Sequence, residues 1–199
     1  MGRTSTAKQR ILDSAQHLIY ARSYADVGVQ EICDHAAVKK GSFYHFFPSK
    51  SDLALAVLDH LWEQFQTQIL HPAFQKNTSP LDRFQQFYTL AYNMHQQHQA
   101  THGQLSGCPY GNLAIELSTQ NPAIRLKVHG IFTQISAYFA TALNDAVACG
   151  EIQCAAPEYT SRALLAYLEG VVMLAKTENN PHVIQDLRPG FFSLISATV

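Results

Sequence analysis

Residues 27–50 constrain the fold of this chain more than any other stretch, because they predict two short helices joined by a tight turn. The first helix has apolar residues at the i, i+3, i+4 and i+7 spacing of one buried face: Val29, Ile32, Cys33 and Ala36. After the turn, Phe43 and Phe47 lie four residues apart on the inner side of a second helix. The pattern is that of a helix-turn-helix.

The outer side of the second helix is polar and partly basic. It carries side chains that bond phosphate oxygens or base edges: Lys39, Lys40, Ser42, Tyr44 and His45. A helix of this width fits the major groove of B-form DNA. The sequence therefore predicts double-stranded DNA as a partner.

The run Lys40-Gly41-Ser42-Phe43-Tyr44-His45-Phe46-Phe47-Pro48-Ser49-Lys50, followed by Leu53, resembles the recognition-helix signature of the TetR family of bacterial transcriptional regulators. The resemblance is detailed over residues 8 to 60 and architectural beyond them. It implies a dimeric, operator-binding protein, more often a repressor than an activator, whose larger domain senses a small molecule. It also implies phosphate contacts for Tyr44, His45 and Lys50, with Lys40 and Ser42 nearer the bases.

We thus expect DNA contacts from nine residues, namely Arg3, Gln30, Lys39, Lys40, Gly41, Ser42, Tyr44, His45 and Lys50. Three positions depart from the family pattern. Ser23 and Ala37 stand where the family often has glycine, so a left-handed backbone at either position would cost about 1 kcal/mol. Lys39 replaces the usual serine or threonine cap of the recognition helix, which weakens the cap and adds a cation.

The charge distribution supports binding of DNA at one end of the chain. The net charge is −1, but residues 1–50 hold 7 basic and 4 acidic side chains, so the cationic part is the N-terminal quarter. No apolar run approaches 18 residues and no leader precedes Arg3. We therefore expect a cytoplasmic protein without a membrane segment.

Prolines and capping residues divide the rest of the chain into helices. Ser49 or Ser51, Ser79-Pro80, Asn121-Pro122 and Asn180-Pro181 each combine a cap with a helix start. No stretch alternates with period two for long, which excludes a sheet. We predict an all-α protein with a helix-turn-helix DNA-binding domain at 1–50 and a helical ligand-binding and dimerisation domain at 51–199.

The last two predicted helices, 157–178 and 181–197, are more apolar than the surface of a monomer tolerates. In the resembled family the corresponding helices of two subunits form a four-helix bundle. The residues expected at this interface are Leu164, Leu168, Phe191, Leu194 and Ile195. The alternative is that these helices only close the core of their own subunit.

The middle of the chain carries aromatic side chains suited to a ligand cavity with a few polar groups. The candidates for ligand contact are Tyr88, Tyr92, Phe132 and Tyr167. Aromatic residues at helical spacing are also the usual content of a packed core, and that alternative stays open.

Residues 105–113 are more singular, because a Gly-Cys-Pro loop places the Cys108 thiol near a helix N-terminus. This position favours the thiolate, which attacks electrophiles and oxidants. The segment is similar to that of TetR-family regulators that sense electrophiles through a cysteine with a lysine nearby, and Lys176 is the matching lysine. The effector is accordingly either an electrophile that reacts with Cys108 or a small molecule that binds reversibly. In the second case Cys108 is only a packed side chain.

Two further alternatives concern metal binding and catalysis. His95, His98 and His102 fall on one side of a continuing helix, which suggests a metal-responsive regulator. Cys108 with a histidine is the remote possibility of a cysteine-dependent enzyme. The four cysteines show no C-x-x-C spacing, and no phosphate loop or dinucleotide fingerprint occurs, so we expect no cofactor.

Overall fold

The computed structural model describes residues 3–196 and shows only helices among them. These helices are α1 (Arg3–Ala21), α2 (Val29–His35), α3 (Lys40–Phe46), α4 (Lys50–Phe65), α5 (His71–Ala73), α6 (Pro80–His102), α7 (Pro109–Leu117), α8 (Pro122–Ala148), α9 (Pro157–Glu178), α10 (His182–Asp186) and α11 (Arg188–Ser196). A π-helical turn at Gln66–Leu70 joins α4 to α5. The predicted all-α class is confirmed. In the described part of the chain, each helix is too short or too polar to cross a membrane.

The chain forms two compact units. The head unit comprises the residues up to Trp62 together with Pro109–Val128, and the body unit comprises Glu63–Cys108 and the residues from His129 onward. The predicted boundary after residue 50 lies at the start of α4, twelve residues before the head unit leaves that helix. The functional limits 1–50 and 51–199 stay a prediction.

The core of the head unit contains the apolar faces predicted for the helix-turn-helix. Ile32 and Cys33 of α2 are fully buried, as is Phe43 of α3. Phe47 packs beside Phe43, with ring centroids 6.0 Å apart. Ile11 of α1 is buried in the same unit. Burying side chains of this size contributes about 1.5–3 kcal/mol each, which holds the short helices α2 and α3 in place.

Most helix starts follow the predicted caps. The Oγ of Ser49 accepts the Asp52 N–H at 3.1 Å, and the Oγ of Ser79 accepts the Asp82 N–H at 3.3 Å. Asn121 Oδ1 accepts the Ile124 N–H at 3.1 Å. Lys39 precedes α3 without a capping side-chain bond, as its chemistry predicts. α6 extends to His102 and stops at Gly103, which has the left-handed conformation.

The body unit is filled by aromatic rings. Phe84, Phe139 and Phe191 are fully buried, and their centroids lie 5.8 to 6.3 Å apart. The ring of Phe74 packs against the same cluster, with its centroid 5.7 Å from that of Phe84 and 5.8 Å from that of Phe139. These distances are those of favourable tilted ring pairs, so the cluster is packed core.

The expectation of one helix over 181–197 is wrong, because the chain bends between α10 and α11. Pro189 has no N–H for the carbonyl of Gln185, so a continuous helix would lose a bond there. The tyrosine hydroxyls satisfy the carbonyls at the bend: Tyr88 donates to Ile184 O at 2.5 Å, and Tyr167 donates to Leu187 O at 2.7 Å. A Cβ on residue 190 would lie 2.1 Å from the Tyr167 hydroxyl oxygen, which explains Gly190.

Of the two residues that replace family glycines, only Ala37 takes the left-handed backbone, with φ 51°. Ser23 has a negative φ, and its Oγ accepts the Asp26 N–H at 3.2 Å. The strain is therefore confined to the turn before the recognition helix.

We predict that Ala37→Gly stabilises the protein by about 1 kcal/mol, because glycine adopts this conformation without the Cβ clash. Ser23→Gly is the matched control, since it relieves no strain and removes the bond to Asp26. The free energy of unfolding in urea measures both. A less stable Ala37→Gly variant, or equal gains for both variants, would contradict the assignment of the strain.

Candidate DNA-binding surface and effector site

The recognition helix α3 separates its faces as the sequence predicts. Phe43 points into the core, while Lys40, Tyr44 and His45 are exposed and Ser42 is half-buried. Tyr44 keeps 49% of its surface although it is a large ring. A ring exposed on a polar helix face is available to a partner molecule.

The other residues expected at DNA lie around this helix. Lys39 precedes α3 and is exposed. Gln30 is exposed on α2, where its amide donates to Asp34 Oδ1 at 2.9 Å. Arg3 begins α1, and its side chain lies outside the described residues. These positions stay predictions of DNA contact.

Lys50, for which a phosphate contact is expected, has contacts within the head unit. Its ammonium group donates a short hydrogen bond to the carbonyl of Tyr24 and lies 4.1 Å from the centroid of the Tyr24 ring. Burial lowers the pKa of Lys50, while Glu116 and Asp26 nearby favour its charged form. The side chain is therefore held by groups of the head unit.

Gly41 lies at the exposed start of α3, and a Cβ added there would have no protein atom within 4 Å. The backbone is therefore open on that side. A glycine at the surface of a recognition helix lets the backbone approach a nucleic acid closely.

We predict that Gly41→Ala weakens binding of DNA at least tenfold while stabilising the free protein by about 0.5–1 kcal/mol, because alanine favours the helix. The DNA is the duplex that the wild-type protein selects from a random library. Gly130→Ala in α8 is the control, since its Cβ also meets open space. Unchanged affinity of Gly41→Ala would remove this glycine from the interface.

The tyrosines expected at the ligand have different surroundings. Tyr88 is fully buried, and burial raises its pKa to about 12. Tyr88 and Tyr167 both hold the bend between α10 and α11, which gives them a structural role. Tyr92 is half-buried, with its hydroxyl 3.4 Å from His182 Nδ1, and Phe132 is also half-buried. Tyr92 and Phe132 stay predictions of ligand contact.

Cys108 is half-buried and directly precedes Pro109, the first residue of α7. The group that the structure places beside it is Glu169, which accepts a hydrogen bond from the thiol. Burial raises the pKa of Glu169, and the bond from Cys108 partly offsets this. Lys176 is exposed on the same helix, two turns after Glu169, which is about 10 Å along the axis of α9.

Sequence reasoning missed Glu169, although a signal was present. It is the only acidic residue among the apolar side chains between positions 163 and 175. An acid within such a run needs a polar partner, because an isolated buried carboxylate is costly. The cysteine loop provides that partner.

The three histidines do not form a metal site. His98 and His102 stack with centroids 4.4 Å apart, and His98 Nε2 lies 3.0 Å from Ser106 Oγ. His95 is buried, and desolvation lowers its pKa to about 4. Within residues 3–196, no group of three or more histidine, cysteine or acidic side chains is placed to hold a metal ion. The metal-responsive alternative is therefore not supported.

The expected interface residues lie mostly inside the subunit. Leu164 and Phe191 are fully buried, Ile195 keeps 1% of its surface and Leu168 keeps 9%, so they offer a partner almost nothing. These four residues therefore belong to the core of their own subunit. Leu194 is half-buried. The exposed apolar residues of α9 are instead Tyr159, Met173 and Leu174.

Known proteins match both units of the chain. Residues 11–57 match the model of bacterial regulatory proteins of the tetR family, and residues 80–191 match the tetracyclin repressor-like C-terminal domain. The chain is similar to the transcriptional regulator AcuR of Cereibacter sphaeroides, with 31% identity over 89% of this chain and 80% of that one. It is 28% identical to the transcriptional repressor DhaR of Mycobacterium sp., over 100% of this chain and 96% of the other.

A solved structure agrees. The regulatory protein TetR from Rhodobacter sphaeroides superposes with a TM-score of 0.82 at 29% identity, over 94% of this chain and 98% of that one. The fold of this chain is thus shared with a protein described as a regulatory protein. The chain belongs to the TetR family of DNA-binding transcriptional regulators.

Proposed function

We propose that two copies of this chain bind an operator as a repressor and leave it when an effector reaches the body unit. The observation that supports this most is the exposed face of α3, with Lys40, Tyr44 and His45 opposite the buried Phe43. Two such helices enter successive major grooves when they lie about 34 to 36 Å apart. An effector that favours another separation weakens binding by its differential affinity for the two states.

The proposed dimer surface is the outer side of α9. Tyr159 keeps 69% and Met173 keeps 53% of their surface, although both are large and apolar. Ala166 and Gly170 fall on the same side of the helix, where small side chains let a second helix approach. Burial of this stripe against its copy would remove apolar surface from water in each subunit.

We expect the wild-type protein to select, from a random duplex library, a site with two symmetric half-sites about one turn apart. Met173→Glu places a charge in the proposed interface, which is costly to bury, so this variant should be a folded monomer that selects no symmetric site. Leu126→Glu is the control, because Leu126 is also exposed, at 58%, but lies on α8.

Light scattering measures the mass of each variant. A dimeric Met173→Glu variant would exclude this face of α9 as the interface. Failure of the wild-type protein to enrich any duplex would contradict the proposed repressor function.

The effector is proposed to be an electrophile that reacts with Cys108. Cys108 directly precedes α7, a position that favours the thiolate, while the Glu169 carboxyl beside the thiol disfavours a second negative charge. In the reaction, Sγ adds to an activated double bond, the thiol proton leaves to water, and the new carbanion takes a proton from water. The protein is then modified without an external oxidant.

We predict that Glu169→Gln speeds maleimide labelling of Cys108 at pH 7, since each unit of pKa change alters the thiolate fraction about tenfold. Labelling of wild-type protein should release the selected duplex, and Cys108→Ser should stay bound. The exposed Cys149 is the internal control, because its rate should not depend on residue 169. Mass spectrometry of digests gives the rates.

Slower labelling of Cys108 in Glu169→Gln would instead make Glu169 the base that removes the thiol proton. Release of DNA from Cys108→Ser at the parent's rate would exclude Cys108 as the sensor. A reversible ligand at Tyr92 and Phe132 would then be the effector.

A further inference from the structure

One carboxylate of α7 holds the turn between α1 and α2. Glu116 Oε2 accepts the Tyr24 N–H at 3.0 Å, and Glu116 Oε1 accepts the Ala25 N–H at 2.6 Å. Both oxygens of one anion therefore bind consecutive backbone donors. Such charge-assisted bonds are shorter and stronger than neutral ones.

The same peptide group is held from its other side by a cation. Lys50 donates to the carbonyl of Tyr24, which belongs to the peptide whose N–H is that of Ala25. Its ammonium also lies over the Tyr24 ring. The Tyr24–Ala25 peptide thus lies between Glu116 at its N–H and Lys50 at its carbonyl. We call this arrangement the Tyr24 clamp.

Two more contacts attach the segment 109–128 to α4 within the head unit. Asn121 Nδ2 donates to Ser51 Oγ at 2.7 Å, and Lys127 pairs with Asp59. Together with Glu116, these contacts are spread along the segment from α7 into the start of α8. Because they are side-chain contacts at three separate points, they fix the orientation of the segment on the head.

The clamp lies where it governs the recognition helix. Lys50 is the first residue of α4 and follows the end of α3 by only a few residues, while Tyr24 lies in the turn that leads to α2. A peptide held by Lys50 therefore ties the entry of the helix-turn-helix to its exit. Loss of Lys50 would remove the link between the two ends, and loss of Glu116 would remove the second contact that holds the same peptide.

We propose that Glu116 and Lys50 are positioning residues that orient α3 for the operator, and that Lys50 acts within the protein instead of on a phosphate. This rests on the proposed DNA binding. Cys108 directly precedes α7, and Glu116 is the eighth residue of that helix. A displacement of α7 would move Glu116 away from the turn.

The test compares dissociation constants for the selected duplex among Glu116→Gln, Lys50→Met and the double variant. Glutamine keeps the shape of glutamate but has one acceptor oxygen, so one of the two bonds is lost. We expect each single variant to weaken binding about tenfold, and the double variant to bind hardly more weakly than either, since both act on one peptide.

Glu31→Gln is the matched control. Glu31 lies on α2 of the same unit in an exposed pair with Arg22, and its loss changes the net charge by the same amount. Removal of a negative charge alone should tighten DNA binding, so Glu31→Gln and Glu116→Gln are expected to change affinity in opposite directions. Tighter binding by Glu116→Gln would overturn the clamp.

The salt dependence decides the role of Lys50. A lost phosphate contact lowers the slope of log affinity against log salt by about one, whereas a lost internal contact leaves the slope unchanged. A slope lowered by one in Lys50→Met would overturn the proposal even if Glu116→Gln failed to fold. Circular dichroism confirms that each variant is folded at the temperature of the assay.

Other outcomes separate the two proposals. If the wild-type protein selects no duplex, the proposed repressor function is contradicted. A wild-type protein that selects one, with Glu116→Gln less stable to heat but unchanged in affinity, contradicts only the clamp, because Glu116 would then be structural.

Discussion

The recognition surface depends on the burial of one side of two very short helices. α2 and α3 have seven residues each, and an isolated helix of that length is unstable in water. They persist because Ile32, Cys33 and Phe43 are removed from solvent on their inner sides. The polar side chains on the outside contribute little to folding. Their identity can therefore change with the binding partner without loss of stability. The inner faces of α2 and α3 thus stabilise the fold, and their outer faces are open to a binding partner.

Most of the fold could be predicted from the sequence, because it is encoded locally. Caps and prolines gave α9 its observed bounds of Pro157–Glu178, and the apolar spacing gave α2 its buried side. The bend after α10 could not be predicted in the same way. It depends on the hydroxyls of Tyr88 and Tyr167, which arrive from helices distant in the chain, and spacing within 181–197 contains no information about them.

The sequence predicts a candidate site well where all of its residues lie on one helix. The exposed face of α3 follows from its own periodicity, whereas Lys50 and Cys108 have partners elsewhere. Lys50 is held by the turn of Tyr24, and Cys108 by Glu169 of α9. Four of the five residues expected at the interface are buried for a related reason. An apolar helix has a side for its own core and a side for a partner, and composition alone does not distinguish Leu164 from Met173.

The close approach of Tyr167 to Gly190 restricts how this protein can change over evolutionary time. The hydroxyl that supports the bend occupies the space of any side chain at position 190. A larger residue there is tolerated only after the tyrosine has become smaller, and a smaller residue at 167 removes one of the two donors of the Leu187 carbonyl, which also accepts the Gly190 N–H at 3.1 Å. The two positions are therefore expected to covary among relatives, with glycine at 190 wherever the tyrosine is kept.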